Sequence, residues 1–361
     1  MTDPKTDWLR SAPLAATNDR ANTSLFPFIA RFMRGENLSA ADASKFFEAL
    51  TEINANPAQI ASALTALTSK GETALELAGM AAVLREHATK IKLVARNAVD
   101  IAGTGSSPAK TFNVSTAAAF VAAGAGLTIA KQSNRGVTSK SGSADVLSEL
   151  GIKVADEATI VQASLSGTGL SFIFAPKFHP QLRRVGDIRR SLGIRTCLNV
   201  LGVIANPAAV SRQLVGVWHR SLVEPIARAL AHLNSDKAWV VHGEDGLDEI
   251  TIAGKTFVGA VKENEVRPFV ITPEDFGLKR ASIEHLKTSS ANESANIIRD
   301  VLASRRRDEA RSLVVINAAA ALVIAGVARD PMHAARLAEQ SIDSGQAQNK
   351  LERLIQFTNK K

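Results

Sequence analysis

A short apolar run that ends in a glycine turn constrains the fold of this chain more than any other stretch. Residues 98–102, AVDIA, lead into Gly103, Thr104 and Gly105, and the polar stretch that follows closes at 113–116 before an alanine-rich segment. A buried strand, a glycine turn and a helix start bring free backbone N–H groups together, and the helix dipole adds positive potential there. Glycine allows close approach of the backbone to an anion. The pattern predicts a phosphate site.

The same stretch also fits a tight strand–helix connection with an N-cap, which needs no ligand. Its glycine spacing matches neither the P-loop nor the dinucleotide-binding fingerprint. Lys131 follows the next apolar run and would add positive charge to a phosphate site. Pattern alone leaves both interpretations open.

Length and composition indicate a globular protein with two domains. The chain has 361 residues, of which 45% are hydrophobic and 22% charged. Its single cysteine, Cys197, excludes an intramolecular disulfide and favours a reducing compartment. The first residues lack the pattern of a signal peptide, and the apolar segment Leu313–Ala328 is interrupted by Asn317. We therefore expect a cytoplasmic protein without a membrane partner.

The hydrophobic periodicity changes along the chain and predicts an α/β fold of two parts. Residues 1–22 are expected to form a flexible tail, and 23–95 an all-helical domain of about four helices. The larger domain, 96–361, should be α/β with a mostly parallel central sheet. Its expected strands are short apolar runs spaced for βαβ units, at 98–102, 127–130, 172–175 and 238–241. An antiparallel excursion is expected between Glu249 and Ile271.

Two adjacent carboxylates, Asp248 and Glu249, follow a glycine turn and are candidates for a metal site. Mg²⁺ prefers one or two carboxylates together with substrate phosphates. Acidic pairs in loops are common, however, and most are only solvated. The metal interpretation gains weight from the predicted phosphate site.

Five arginines within thirteen residues form the most basic stretch of the chain: Arg183, Arg184, Arg189, Arg190 and Arg195. Such a cluster suits nucleic acid, an anionic substrate or a subunit contact. Arg189 or Arg195 could clamp a carboxylate through the two-pronged guanidinium geometry. Alternatively, the arginines pair with Asp187 and neighbouring acids on one helix.

Four motifs occur together in this chain: GTG with TFNVST, K-x-x-NR with SKSGSADVL, IRRSLGIRT-x-x-N-x-LG, and GEDGLDEI. By these motifs the chain resembles the anthranilate phosphoribosyltransferase family, from about Phe26 to Phe357. The resemblance implies a helical domain, with about 181–206 packing into it, hinged to an α/β domain. It also implies a homodimer, and phosphoribosyl pyrophosphate bound with Mg²⁺ between the domains. The expected reaction converts anthranilate to N-(5′-phosphoribosyl)anthranilate in tryptophan biosynthesis.

The resemblance also implies site residues, position by position. Mg²⁺ would be held by Ser115, Asp248 and Glu249, and the acceptor contacted by Asn134 and Arg189. Lys131 and Arg189 are expected to act directly in catalysis, on the pyrophosphate and on the acceptor carboxylate. The donor-binding positions are Gly103, Gly105, Asn113, Ser115, Thr116 and Lys131. The substrate-binding candidates are completed by hydroxyl residues of the same motifs: Ser106, Ser107, Thr111 and Ser143.

Three departures from the family's usual motifs keep alternatives open. Ser106-Ser107 stand where Gly-Asp is usual, Gln132-Ser133 where His-Gly is usual, and residues 203–205 depart from G-P-L-T-N-P. The acceptor could therefore be another aromatic compound, and a phosphorolytic enzyme on the same fold is a weaker alternative. A non-catalytic relative that binds nucleic acid would suit the net charge of +8. The arginine cluster lacks interleaved aromatic residues, so we expect no nucleic-acid partner.

Overall fold

The computed structural model describes residues 25–93, 97–105, 107, 109–136 and 142–360. The predicted tail, the predicted domain boundary at 95–96 and Ser106 lie outside the described residues.

Four helices precede the sheet, as predicted: α1 (Phe26–Met33), α2 (Ala40–Thr51), α3 (Pro57–Lys70) and α4 (Ala74–Glu86). Helix α3 is capped by Asn56, whose side chain accepts hydrogen bonds from the first-turn amides, and Pro57 occupies the first helical position. Helix α4 begins with a capping box between Thr73 and Glu76. These caps fix where the helices start.

A seven-stranded sheet forms the centre of the larger part, with strand order β3-β2-β1-β4-β5-β6-β7. The pairs among the first five strands in this order are parallel, while β5–β6 and β6–β7 are antiparallel. The predicted α/β class and its antiparallel edge are confirmed. The strands are β1 (Val99–Gly103), β2 (Ile129–Ser133), β3 (Leu170–Phe174), β4 (Arg212–Gly216), β5 (Lys237–Gly243), β6 (Thr256–Lys262) and β7 (Glu265–Ile271).

Helices cover the sheet and connect its strands. Those between strands are α5 (Val114–Gly124), α6 (Ser143–Glu149), α7 (Ala158–Thr168), α8 (Ala175–Phe178), α9 (Leu182–Leu192), α10 (Cys197–Ile204) and α11 (Val223–His232). After β7 come α12 (Ala291–Leu302), α13 (Glu309–Ala325), α14 (Pro331–Asp343) and α15 (Gln346–Asn359). Short 3₁₀ turns lie at Arg220–Leu222, Pro273–Phe276 and Glu284–Leu286. No helix in the described part of the chain is long and apolar enough to span a bilayer.

Two details of the secondary structure differ from the prediction. Strand β4 was not predicted. Strand β2 runs on to Ser133, so Lys131 and Gln132 lie within the strand and not after it. The last two helices, α14 and α15, are separated where Gly345 takes a φ of 76°.

The two faces of the sheet pack against different layers. On one face Ile101, Ile129 and Phe172 are buried with α5 and α13. On the opposite face Ala102 and Val215 are buried together with side chains of α1–α4, α10 and α11. Consecutive side chains of a strand point to opposite faces of the sheet. Two neighbouring residues at the end of a strand therefore contact different layers.

Helix α10 links the first four helices to the sheet through buried polar contacts. Arg85 of α4 donates a 2.6 Å hydrogen bond to the Ile204 carbonyl at the end of α10. Two residues later, the Asn206 amide donates to Asp100 of β1 at 2.7 Å and to the Ala130 carbonyl of β2 at 2.9 Å. The segment 182–206 therefore contacts both parts of the chain, while the domain limits remain a prediction.

Candidate functional site

A cavity of about 780 Å³ opens beyond the carboxyl ends of β1 and β2, where ligands bind in parallel α/β sheets. It is bordered by the Gly103 loop, the start of α5, helices α9 and α10, and the Asp248 turn. Of the predicted site residues, these line it: Gly103, Gly105, Ser107, Thr111, Asn113, Ser115, Lys131, Asn134, Ser143, Arg189, Asp248 and Glu249.

Thr116 is the exception among the described candidates. Its side chain is completely buried within α5 and does not line the cavity. A helical turn places Ser115 and Thr116 in different directions, and only Ser115 faces the cavity. The donor-binding role that the family resemblance implies for Thr116 is therefore not supported by the position of its side chain.

The glycine turn packs its backbone closely against the Asp248 turn. A Cβ at Gly103 would lie 3.0 Å from the Asp248 Oδ2 and 3.2 Å from its carbonyl oxygen. Gly105 has a φ of 68°, in the left-handed region that favours glycine. Gly103 is therefore needed for the close approach to the acidic pair, and Gly105 for the conformation of the turn.

Lys131 is the buried cation of the cavity. Its ammonium donates hydrogen bonds to the Ile101 carbonyl and, at 3.2 Å, to the Ser115 hydroxyl. Burial lowers the pKa of Lys131, while Asp100, Glu249 and Asp248 oppose that shift. The ammonium therefore has carboxylates facing it from two sides.

Asp248 and Glu249 are also buried, each with 8% of its surface exposed. Glu249 Oε1 accepts a 3.3 Å hydrogen bond from the Ser115 amide at the start of α5. Burial, and after it the charge of Asp248, raises the pKa of Glu249 to about 8. Burial likewise raises the pKa of Asp248. Two adjacent buried acids need a cation to remain ionised at neutral pH.

This donor set suits a magnesium ion that is shared with a phosphorylated ligand. The described residues contain no group of three or more His, Cys, Asp or Glu side chains able to hold a metal. Asp248, Glu249 and the Ser115 hydroxyl would leave coordination positions for phosphate oxygens, an arrangement that Mg²⁺ prefers. The residues present therefore fit the predicted ion.

Arg189 of α9 has no carboxylate within 4.0 Å among the described residues, although it lines the cavity. Burial lowers its pKa, but a guanidinium remains charged at neutral pH. Arg190 behaves differently and pairs with Asp187. The guanidinium of Arg195 lies over the Trp218 ring, 5.3 Å from its centroid, and does not line the cavity. Arg189 is thus the better candidate for an anionic ligand.

Comparisons with known proteins match nearly the whole chain. The helical-bundle domain model of a glycosyl transferase family matches residues 26–88, and the a/b domain model of that family matches 95–348. The anthranilate phosphoribosyltransferase of Chloroflexus aggregans is 44% identical over 328 residues, which are 91% of this chain and 96% of that relative. The chain belongs to this family of enzymes. The Rhodospirillum rubrum enzyme of the same name is 45% identical over 327 residues, 91% of this chain and 94% of that one.

Solved structures of the family have the same fold. The anthranilate phosphoribosyltransferase of Thermus thermophilus superposes with a TM-score of 0.85 at 34% identity, covering 92% of this chain and 99% of that one. The Saccharomyces cerevisiae enzyme, in complex with PRPP and Mg, has a TM-score of 0.84 at 27% identity and covers 94% and 98%. The predicted family is confirmed.

Ser107, one of this chain's departures from the family pattern, forms hydrogen bonds within the protein. Its hydroxyl donates a 2.8 Å hydrogen bond to the Gly246 carbonyl and accepts one from the Ala109 amide at 3.2 Å. The side chain thereby fastens the glycine loop to the turn that precedes Asp248. No carboxylate is available at this position.

Sequence reasoning missed several residues that line the cavity, including Thr104, Lys110 and Asn199. His179 also borders the cavity. Burial lowers the pKa of His179 to about 4, more strongly than the Ala205 and Leu84 carbonyls raise it, so the ring is neutral at pH 7. In the sequence, only the polar character of these residues and their position beside the recognised motifs could have indicated that they line the cavity.

Proposed function

We propose that this protein catalyses the Mg²⁺-dependent transfer of the phosphoribosyl group from phosphoribosyl pyrophosphate to anthranilate, releasing pyrophosphate. The observation that carries the proposal is one cavity lined by two chemically different groups of side chains. We call Lys131, Ser115 and the acidic pair the donor half, and we call the side opposite them in function, which includes Arg189, the acceptor half; Arg189 has no ion pair among the described residues. Family membership and the yeast relative's complex with PRPP and Mg support the same activity.

The donor half has the groups that the leaving pyrophosphate requires. As the bond between C1′ and the pyrophosphate oxygen breaks, negative charge grows on the leaving group. The buried Lys131 ammonium would stabilise that charge. Bound Mg²⁺, held by Asp248, Glu249 and Ser115, would supply further positive charge at the phosphates.

The acceptor half would position the nucleophile. Arg189 would bind the anthranilate carboxylate through two parallel hydrogen bonds and so aim the neighbouring amine at C1′. The new N–C1′ bond forms as the pyrophosphate departs, and the nitrogen then loses a proton. Holding both reactants in one geometry supplies much of the rate enhancement in such a reaction.

The test follows the loss of anthranilate fluorescence and the release of pyrophosphate in the same reaction. Equal amounts of both changes are expected, and neither should occur without the donor, the acceptor or Mg²⁺. Donor binding without anthranilate turnover would indicate another aromatic acceptor. Absence of donor binding would overturn the proposal and turn attention to nucleic-acid binding, tested by its salt dependence.

We also propose a cytoplasmic homodimer formed through the helical part. The exposed apolar side chains of Phe26, Met33 and Leu75 on α1 and α4 support such a contact. Light scattering should give twice the mass of one chain, and Met33→Glu should lower it. A monomer at micromolar concentration would contradict the dimer.

A further inference from the structure

The side-chain amide of Gln132 is buried without a hydrogen-bonding partner. Only 7% of the residue's surface is exposed, and neither Oε1 nor Nε2 bonds to another described residue. Its backbone is well held, because Gln132 N–H donates to Asp100 at 3.2 Å. Gln132 also lines the cavity. Buried amides are normally paired, so an unpaired amide at a cavity wall points to a ligand.

The direction of the strand places this amide in the acceptor half. Lys131 and Gln132 are consecutive in β2, so their side chains leave opposite faces of the sheet. Lys131 reaches Ser115 on the α5 face. Ala130, two residues before Gln132, is buried on the other face with Phe178 and Ile173, and Ile173 is also the register partner of Gln132. Gln132 therefore faces the layer that includes α8 and the segment leading into α9.

An amide presents a donor and an acceptor side by side. A complementary ligand must offer an acceptor and a donor on neighbouring groups. An aromatic amine with an ortho carboxylate does so, since its N–H can donate to Oε1 while a carboxylate oxygen accepts from Nε2. The guanidinium of Arg189, which lines the same cavity and has no ion pair among the described residues, would take the rest of the carboxylate.

We propose that Gln132 is a specificity-determining residue that recognises the amine and the ortho carboxylate of the acceptor together. This inference rests on the proposed function. Gln132 selects ortho-amino acids over their meta and para isomers, whose amine and carboxylate are too far apart to meet one amide group. It also orients the amine that attacks C1′.

The first experiment compares the wild-type enzyme with Gln132→Met, which keeps the length of the side chain and removes its hydrogen bonds. We expect kcat/KM for anthranilate to fall about tenfold or more, as for lost hydrogen bonds to a charged group, while the KM for phosphoribosyl pyrophosphate stays unchanged. The thermal midpoint of the ligand-free protein should be unchanged or higher, because no protein hydrogen bond is lost. If Gln132 had a purely structural role, the substitution would lower the thermal midpoint.

Gln213→Met is the matched control. Gln213 is a fully buried glutamine of this sheet that does not line the cavity; its Nε2 donates to the Val203 carbonyl at 3.2 Å, while its Oε1 has no partner among the described residues. Its replacement should lower the thermal midpoint and leave the acceptor KM unchanged.

A second variant, Gln132→Glu, keeps the acceptor oxygen and places a carboxylate against the acceptor's own. Relative to wild type, its ratio of kcat/KM for 2-aminobenzamide over anthranilate should rise about tenfold or more. Normal anthranilate kinetics in Gln132→Met, or an unchanged ratio in Gln132→Glu, would overturn this inference and leave the proposed function intact. Absence of wild-type turnover with every ortho-amino acid would overturn both.

Discussion

Replacing Arg189 with alanine tests the acceptor half of the site directly. The guanidinium has no ion pair among the described residues, so its removal breaks no salt bridge and should leave the folded state nearly as stable. A hydrogen bond to a charged group contributes about 1.5–3 kcal/mol. Each loss of about 1.36 kcal/mol in transition-state stabilisation lowers a rate constant tenfold. Losing this contact should therefore lower kcat/KM for anthranilate roughly 10- to 150-fold. The KM for phosphoribosyl pyrophosphate should change little.

The assay is continuous anthranilate fluorescence with each substrate varied in turn. Arg184→Ala is the matched control, because Arg184 lies on the same helix, donates to the Thr51 carbonyl at 3.2 Å and does not line the cavity. Arg189→Lys should lose an intermediate amount, since lysine keeps the charge without the two-pronged geometry. An equal loss for donor and acceptor, or an equal effect of Arg184→Ala, would refute the assignment.

Three further predictions concern buried charges. Lys131→Met should lower kcat at least about a hundredfold, because the site loses its buried cation; initial rates near wild type would remove Lys131 from the mechanism. The double variant Asp248→Asn with Glu249→Gln should abolish Mg²⁺-dependent turnover. Without metal, its thermal midpoint should be higher than that of the wild type. Near-normal rates would contradict the role of these two residues in holding the metal. Burial raises the pKa of Asp100 from 3.8 to about 6, so the native state binds more protons than the unfolded state between these values. The free energy of unfolding should therefore fall by up to about 3 kcal/mol as pH rises from 4 to 6, and denaturation of Asp100→Asn should lack this contribution.

Local sequence patterns were sufficient to predict the fold class, and most of the residues that they nominated for donor binding line the cavity. Caps, glycine positions and apolar runs are read within a few residues, as at Asn56 and Gly103. Strand β4 was missed because RQLVG begins with two polar residues, and its burial comes from the strands on either side. One of these neighbours, β1, is far away in sequence.

The pairings inside the site depend on contacts that spacing does not reveal. Glu249 meets the Ser115 amide across 134 positions of the chain, and Asn206 meets Asp100 across 106. Sequence reasoning placed the acidic pair near a phosphate site only by assuming that the loops converge. The sheet provides that convergence, because its parallel strands end at one edge.

The five arginines show how one sequence cluster divides in the folded chain. Arg183, Arg189 and Arg190 line the cavity; Arg190 pairs with Asp187, and Arg189 has no ion pair among the described residues. Arg195 lies over an aromatic ring, and Arg184 donates to a backbone carbonyl of α2. The cluster is therefore divided between the cavity and other contacts, which favours a small anionic ligand over a continuous nucleic-acid surface.

Under the roles proposed above for Lys131 and Gln132, the end of β2 lets one short motif serve two substrates. Lys131 and Gln132 leave opposite faces of the strand, so consecutive residues reach the donor half and the acceptor half of the cavity. A substitution at Lys131 should therefore affect donor chemistry, and one at Gln132 acceptor choice. Inserting one residue before Lys131 would exchange the two faces, and both functions should be lost together. The register of this strand thus determines the specificity of the site as much as the identity of either side chain.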